Sequence, residues 1–494
     1  MRAHALGPNW SATLLVGITA WILAELSSLG AIAPQGMLIA STTLLLVYLV
    51  AEMYRLRRIS PNRWLLSPIV LCSVVTFIIG FGIANLLYFF PEDVLLSLGV
   101  TPNVTSWMNK LMLLVVVGAL AMWLGYCSRL ATVMSTWLLG QRWLDGMLRR
   151  DFRVRPMVLA ALVLASLASR LVEINLGIYG YSADYDRLIE LAPIRQYLYM
   201  IDGLGHLALV VASLQFYSPD APPRAKGWFL GVLVYELFFG FLTGFKYQVA
   251  IPFVIVGLCK YLRQGIVSRR WIMLFAAAIF VAYAVIEPFR ALRYEDSGFR
   301  GNSLTSISST LLTATAGNGA ESVDDEQMGT GLLFLSRMSM TYIGSLGIEF
   351  ADTRPLPPGS PAFLRDIFLA PLYAAIPRAL WTSKESSRHG LWYWNEVMGI
   401  DTPDAKTAVG MSPFTYLYFA GGGLAVALGF FALGVAQRVW TERFLQSDAA
   451  GALLIFLLGL RILSVPDNVY YTTIVDLLRI IPAALVLQYW VFRR

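Results

Sequence analysis

Charged residues are scarce in this chain. They make up 14% of its 494 residues, whereas hydrophobic residues make up 57%. Soluble domains carry about 25% charged residues, so an ordinary soluble domain is excluded. Long uncharged apolar runs recur from one end of the sequence to the other, which predicts a polytopic membrane protein. The net charge of +7 is distributed as a topology signal and does not indicate nucleic-acid binding.

Cysteine is also rare, and carboxylate clusters are missing. Cys72, Cys127 and Cys259 lie in or beside apolar runs and lack the spacing of a disulfide framework or a zinc site. Asp324 and Asp325 stand by themselves in a Gly-rich segment, without further carboxylates at metal-ligand spacing. We therefore expect the three thiols to be small core residues, and we expect no metal or other cofactor.

The first apolar run, Thr13 to Leu29, has no small-residue cleavage site at its end and leads directly into another run. This pattern predicts a retained helix and not a signal peptide. Because a helix needs about 20 apolar residues to cross a bilayer, the hydropathy pattern predicts an all-α protein with about twelve transmembrane helices. The predicted spans lie near residues 12–30, 36–53, 67–89, 110–126, 156–178, 199–217, 228–243, 247–262, 271–288, 414–436, 448–464 and 469–490.

Lysine and arginine in the short loops give the orientation. Alternate loops, together with the two chain ends, hold 21 of these cations, whereas the opposite short loops hold 4. Since cytoplasmic loops are enriched in Lys and Arg, both termini are predicted to be cytoplasmic.

This topology predicts three regions. Residues 1–288 form a nine-helix membrane region, residues 289–413 form one large periplasmic loop, and residues 414–494 form a three-helix C-terminal membrane region. Within the loop, 317–331 is acidic and Gly-rich and is expected to be flexible. The segments LLFLSRMSMTYIGSLGIEF and PAFLRDIFLAPLYAAIPRALW are amphipathic, which predicts short helices at the membrane surface.

Ionisable residues inside the spans fall mostly in the predicted outer half, which favours a polar cavity open to the outside. Three sets are spaced so that they can pair locally on one helix: Arg170 with Glu173, Asp202 with His206, and Asp476 with Arg479. Each set can be a local ion pair or hydrogen bond that stabilises the fold, or it can be part of a functional site, and the sequence leaves both interpretations open. Glu287, Arg290 and Arg293 leave the ninth span on the outer side, and three further residues have no local partner in the sequence: Lys246, Arg461 and, in mid-span, Glu236.

The loop segment 376–396 combines cations with aromatic side chains, in IPRALWTSK and SRHGLWYWNE. Arginine binds phosphate oxygens in bidentate fashion, and aromatic faces can stack on sugar rings. Together they favour a lipid-linked, phosphorylated sugar, although an interfacial aromatic belt would use the same residue types. The aromatic residues with this capacity are Trp381, Trp392, Tyr393, Trp394, Tyr416 and Tyr418.

Three segments carry a family resemblance. TGFKYQVAIPFVIVGLCKYLRQG, with Lys246 at its outer turn, resembles the short cation-bearing hairpin of bacterial oligosaccharide repeat-unit polymerases, the Wzy-type O-antigen polymerases. The IPRALWTSK stretch and MSPFTYLYFAGGGLAVALGFFALG are similar to the loop end and the following helix of that family. The resemblance covers roughly residues 228–436. Many members of that family have arginine where this chain has Lys246. A lysine keeps the positive charge but lacks the bidentate geometry of a guanidinium group.

The resemblance implies a GT-C-like fold and metal-independent glycosyl transfer. An undecaprenyl-diphosphate-linked oligosaccharide is then the donor of the glycan. The protein is embedded in the lipid bilayer, and a chain-length regulator is a further candidate partner. The departing diphosphate would be stabilised by cations. The residues expected to bind diphosphate or substrate are Lys246, Arg293, Arg337, Arg378, Lys384, Arg461 and Tyr416. His389 and Glu396 are the catalytic candidates, with Asp404 and His206 as alternatives to act as general base.

Two other functions remain open on sequence grounds. One is a related glycosyltransferase on the same face, such as an O-antigen ligase. The other is a transporter or flippase of lipid-linked sugars. The one-sided distribution of intramembrane charge argues against transport, since alternating access needs polar groups along the whole path.

Overall fold

A computed structural model describes residues 7–61, 64–97, 105–149, 152–180, 183, 185–265, 269–295, 304–315, 332, 335–336, 338–376, 380–381, 389–400, 410–447 and 449–492. For some positions inside these helices, including Glu287, Arg290 and Arg293, only the backbone is described.

The described chain is helical almost throughout, which confirms the predicted all-α class. An isolated bridge between Val154 and Phe492 is the only strand-like pairing in the described ranges. Short π-helical and 3-10 turns, such as Ser73–Ile83, Ala84–Phe89, Tyr393–Val397 and Thr441–Leu445, extend several helices. The α-helices are α1 Trp10–Ser28, α2 Pro34–Ile59, α3 Pro68–Cys72, α4 Glu92–Ser97, α5 Thr105–Cys127, α6 Arg129–Leu139, α7 Arg142–Leu148, α8 Pro156–Leu176, α9 Tyr185–Glu190, α10 Ala192–Phe216, α11 Ala225–Leu242, α12 Lys246–Gln264, α13 Arg269–Glu295, α14 Leu304–Thr315, α15 Thr341–Thr353, α16 Phe363–Ala375, α17 His389–Trp392, α18 Pro413–Trp440, α19 Ala450–Ser464 and α20 Tyr470–Val491.

Ten helical segments in the described ranges are long and apolar enough to cross a membrane, so the protein is a multi-pass membrane protein. Every one of the twelve predicted spans contains a helix. Two of them, α12 and the 15-residue α19, are not among the ten. The count of twelve therefore stays a prediction, as do the GT-C-like fold and the orientation in the membrane.

The chain forms two compact units. Unit 1 comprises residues 1–145, 328–448 and 455–484, and unit 2 comprises residues 146–327, 449–454 and 485–494. In unit 1, α5 and α18 approach each other so closely that no side chain fits at Gly434. A Cβ added there would lie 1.9 Å from the Met122 carbonyl oxygen. Small residues at such a contact let the backbones of membrane helices pack directly against each other.

One of the two loop segments predicted to form surface helices contains α15, which packs against α5 and α18 of unit 1. A Cβ added at Gly344 would lie 2.7 Å from Leu111 on α5, and one at Gly347 would lie 2.4 Å from Thr415 on α18. The Thr415 hydroxyl donates to the Gly344 carbonyl at 3.1 Å. The two glycines therefore seat α15 against two membrane spans.

Two of the 21 cations counted for the predicted cytoplasmic loops, those between the predicted spans 414–436 and 448–464, are buried. Arg438 lies inside α18 and pairs with Glu442, whose other carboxylate oxygen accepts from Ser135. Arg443 pairs with Asp145, with 2.7 Å between Nη2 and Oδ1. The sequence pattern missed this because α18 and its π-helical extension continue to Leu445, beyond the predicted end at residue 436. The charges of Arg438 and Arg443 are thus neutralised inside unit 1.

α18 is broken near its start, at the glycine triplet 421–423. Gly421 is extended, and Gly422 has φ +66° and ψ −156°, a region that only glycine occupies readily. The span from Pro413 to Leu445 has 33 residues and is about 50 Å long, whereas the hydrocarbon core is about 30 Å thick. The eight residues before the break can therefore lie outside the hydrocarbon, where water satisfies the interrupted backbone.

Gly422→Ala is expected to destabilise the protein by about 1–3 kcal/mol, because alanine is strained at this φ and ψ. Gly423→Ala is the matched control. Its Cβ would lie at an ordinary 3.5 Å from Leu114, and alanine favours a helix by about 1 kcal/mol over glycine. Thermal unfolding midpoints of the purified variants in detergent should fall for the first and stay or rise for the second. Equal midpoints would contradict a glycine-specific break.

Candidate functional site

His389 and Asp366 form a buried pair in unit 1. Asp366 lies in the first turn of α16, where the helix dipole favours a carboxylate, and His389 begins α17. The His389 Nε2 atom is 3.2 Å from the Asp366 Oδ2 atom, and the two side chains are 2% and 1% exposed. The other carboxylate oxygen accepts a hydrogen bond from the Tyr373 hydroxyl at 3.1 Å. Tyr373 is seven residues after Asp366, two turns along the same face of α16.

Aromatic rings surround this pair. The His389 ring centroid is 5.8 Å from that of Phe363, 5.8 Å from that of Tyr416 and 5.6 Å from that of Tyr471. Tyr416 is fully buried, and its hydroxyl donates to the Phe363 carbonyl at 3.2 Å. The surroundings are therefore poor in water, and electrostatic interactions within the pair are stronger than they would be at a surface.

The second imidazole nitrogen of His389 is the atom that could accept a proton. A carboxylate at Asp366 accepts a proton-bearing Nε2, so a neutral imidazole has its lone pair at Nδ1. The Nδ1 atom is buried and has no hydrogen-bond partner within the described residues. An imidazole that is bonded to a carboxylate at one nitrogen and has no hydrogen-bond partner at the other can accept a proton from a hydroxyl group.

Arg479 is linked to the same cluster through the backbone. Its guanidinium donates to the carbonyl oxygens of Tyr373, at 2.8 Å, and Ala374, at 3.4 Å, in the last turn of α16. We had considered Asp476 as its partner. Instead, Arg479 caps the carbonyl end of the helix that carries Asp366, an arrangement that a cation favours.

The structure places the other predicted site residues as follows. Glu396 is exposed in the π-helical turn after α17, and Arg461 is exposed on α19, both in unit 1. Lys246 is half-buried at the start of α12, and Arg293 lies on α13 with only its backbone described, both in unit 2. Among the predicted residues, the pair and its surroundings thus bring together His389 and Tyr416. The other predicted residues lie outside the described ranges: Arg337, Arg378, Lys384 and the alternative base Asp404.

Sequence reasoning missed Asp366. Its one signal is that it is an acid which, with the neighbouring Arg365, interrupts the mainly apolar segment FLRDIFLAPLYAA. Nothing in the sequence connects it with His389, which lies 23 residues later. The sequence also placed Tyr393 and Tyr416 among open sugar-stacking faces, whereas both rings are fully buried. Tyr418 is more accessible, and its hydroxyl donates at 2.7 Å to Asp352, the ion-pair partner of Lys110.

A second ionisable cluster lies among three spans of unit 2. Arg170 on α8 pairs with Asp202 on α10 and with Glu236 on α11, the latter at 3.0 Å between Nη2 and Oε2. His206 on α10 is also near Glu236, with 3.3 Å between Nε2 and Oε2. Arg170 thus pairs across helices and not with Glu173 on its own helix. Glu236, for which the sequence offers no local partner, is the acid that joins Arg170 to His206.

Close helix packing leaves room for this cluster only because residue 205 is glycine. A Cβ added at Gly205 would lie 2.1 Å from the Glu236 Oε1 atom and 2.8 Å from the Ser166 Oγ atom. The Arg170 guanidinium also lies 4.9 Å from the centroid of the Tyr235 ring, at the distance of a cation–π contact. The cluster is therefore fixed by neighbours from all three helices.

Across the described ranges, no three His, Cys, Asp or Glu side chains are grouped closely enough to hold a metal ion. The three cysteines are free and buried, as expected of core residues. Comparisons with protein-family models, with curated proteins and with solved structures give no match, so the family resemblance of residues 228–436 stays an interpretation of the sequence.

Proposed function

We propose that the protein is a glycosyltransferase that polymerises undecaprenyl-diphosphate-linked oligosaccharide repeat units at the periplasmic face of a bacterial inner membrane, in O-antigen or exopolysaccharide synthesis. The buried Asp366–His389 pair carries this proposal, because glycosyl transfer to a hydroxyl needs a group that accepts a proton. The resemblance of residues 228–436 to repeat-unit polymerases supplies the substrate class.

In the proposed reaction, the hydroxyl of the acceptor sugar donates its proton to the His389 Nδ1 atom. The acceptor oxygen then attacks the anomeric carbon of the donor, the bond from that carbon to the diphosphate oxygen breaks, and lipid diphosphate leaves as an anion. Asp366 stabilises the imidazolium that forms, and His389 later releases the proton to water. Since Nδ1 is buried in the free protein, acceptor binding has to displace a neighbouring side chain.

The departing diphosphate needs cations, because the proposal includes no metal ion. Arg461 and Arg479 lie in the same compact unit as His389. Arg479 is bonded to the carbonyl of Tyr373, whose hydroxyl is bonded to Asp366. The family resemblance adds Arg378 and Lys384 to the proposed diphosphate-binding set. An O-antigen ligase would use the same chemistry with a different acceptor.

The cluster of Arg170, Asp202, His206 and Glu236 supports a second candidate function, transport of a lipid-linked sugar. Ionisable side chains inside membrane spans commonly mark ion or substrate pathways. This cluster joins three spans of unit 2 and includes a histidine beside a carboxylate. Its argument is weaker than that of the Asp366–His389 pair, because the ion pairs already neutralise most of its charge.

Deletion of the gene distinguishes these functions. For a polymerase, we expect long glycan chains to disappear while single repeat units remain attached to their final acceptor. A ligase deletion would instead accumulate lipid-linked polymer. A transporter deletion would leave lipid-linked repeat units on the cytoplasmic leaflet, protected from a glycosidase added to intact spheroplasts. Restoration by the wild-type chain is the control, and either of the last two outcomes would overturn the proposal.

A further inference from the structure

A line of polar side chains runs along one face of α20, starting at the turn that precedes it. Asp467 is exposed in that turn. Thr472, Asp476 and Arg479 follow at spacings of four and three residues, which places them on one side of the helix. From the start of α20 to Arg479 is nine residues, or about 14 Å along the helix axis, roughly half the thickness of a hydrocarbon core.

The charges on this face are not consumed by ion pairs. Asp476 is exposed and lies in the electrostatic field of Asp467, Arg479 and Arg461. None of these four groups forms an ion pair within 4 Å among the described residues. Arg479 uses two of its five N–H groups on the carbonyls of α16. Several donors and acceptors on one face therefore remain available to a polar environment.

Such a face is incompatible with lipid. A charged side chain at the centre of a bilayer costs about 3 kcal/mol or more, and this face carries Asp476 and Arg479 on one helix, with Arg461 on the neighbouring α19. The cost disappears if the face is in contact with water. The line begins at an interhelical turn, where a span meets the aqueous phase, so water can enter from that end.

We propose that this face of α20, together with Arg461, lines a water-filled crevice through which a polar, hydroxyl-bearing substrate reaches the Asp366–His389 pair. The inner end of the crevice is Arg479, which is bonded to the last turn of α16. Asp366 lies on that same helix, and its carboxylate accepts a hydrogen bond from Tyr373. The access role rests on the proposed glycosyl transfer, whereas the presence of water does not.

Single cysteines test the crevice. The wild-type chain provides a low background because Cys72, Cys127 and Cys259 are buried. Thr472→Cys and Asp476→Cys should react with a membrane-impermeant methanethiosulfonate in lipid nanodiscs at least about ten times faster than Leu478→Cys, because the thiolate forms in water. Leu478 is 40% exposed but lies off the polar line, so a lipid-soluble maleimide should label Leu478→Cys and show that this thiol is reachable.

The labelling rates test whether the crevice contains water, and the activity of the labelled protein tests whether substrate passes through it. If both Thr472→Cys and Asp476→Cys are as slow as Leu478→Cys, the face is covered by lipid or protein and the proposal fails. Thr472→Cys removes no charge, so it remains informative if Asp476→Cys fails to fold. If labelling is fast, the labelled Thr472→Cys protein is then assayed for chain growth with purified lipid-linked repeat units. Growth at the unlabelled rate would overturn the access role, and loss of growth specific to labelling would support it. If the wild-type chain shows no chain growth in the same assay, the proposed function fails, whereas the labelling result for the crevice still stands.

Discussion

Replacing His389 with glutamine is expected to lower the rate of glycan chain growth about 10²–10⁴-fold, the contribution typical of general acid–base catalysis. Glutamine can still bond with Asp366 but cannot take up the proton of the acceptor hydroxyl. The loss should therefore appear in kcat at saturating lipid-linked substrate, with KM changed little. Protein purified in nanodiscs and an assay of chain length against time would measure both parameters.

Tyr373→Phe is the matched control for the His389 variant. It removes the other hydrogen bond to Asp366 and leaves the imidazole in place. We expect a much smaller loss of activity, because Asp366 still holds His389. If the pair were only a buried structural contact, His389→Gln would lower the amount of folded protein while the remaining protein kept its normal specific activity. That result would remove the observation on which the proposed function rests.

Arg170→Met is expected to destabilise the protein by about 3–5 kcal/mol. Removing one partner of a buried ion pair leaves the other charge without compensation, and Arg170 compensates both Asp202 and Glu236. Thermal unfolding in detergent, followed by circular dichroism, would measure the loss.

The triple variant Arg170→Met, Asp202→Asn, Glu236→Gln should recover most of this stability, because no buried charge is then left unpaired. Arg195→Met is the control for the loss of a cation from the same unit. Arg195 is exposed on α10, and its removal should change stability by no more than about 0.5 kcal/mol. If Arg170→Met is as mild as Arg195→Met, or if the triple variant is no better than the single one, the cluster does not stabilise the fold as described.

Hydropathy alone predicts most of the fold, because an apolar run of about 20 residues has few alternatives to a membrane helix. The predicted 156–178 span and the observed α8, Pro156–Leu176, agree closely for this reason. Where the end of a helix depends on tertiary contacts, the sequence is a poorer guide. α18 continues past its predicted end because Arg438 and Arg443 find acidic partners inside the protein.

The candidate site was only half predictable. The sequence indicates His389 as a candidate general base, because histidine is the residue type that most often has this role. Asp366 and the partners of Arg170 were not indicated, because pairing between helices depends on three-dimensional register that a single sequence does not encode locally. The same limit explains why the sequence offered only Glu173 as a local partner for Arg170, whereas the partners in the structure lie 32 and 66 residues away.

The Arg170 cluster also constrains how the chain enters the membrane. During synthesis α8 emerges first, and its arginine has no partner until α10 brings Asp202; Glu236 arrives only with α11. Each such residue adds up to about 3 kcal/mol to the cost of inserting its helix alone. α8, α10 and α11 therefore gain by leaving the translocation machinery as a group, and a nascent chain that stops before α11 would hold an incompletely neutralised arginine–aspartate pair. Biogenesis of unit 2 is thus coupled across about 70 residues by one buried guanidinium.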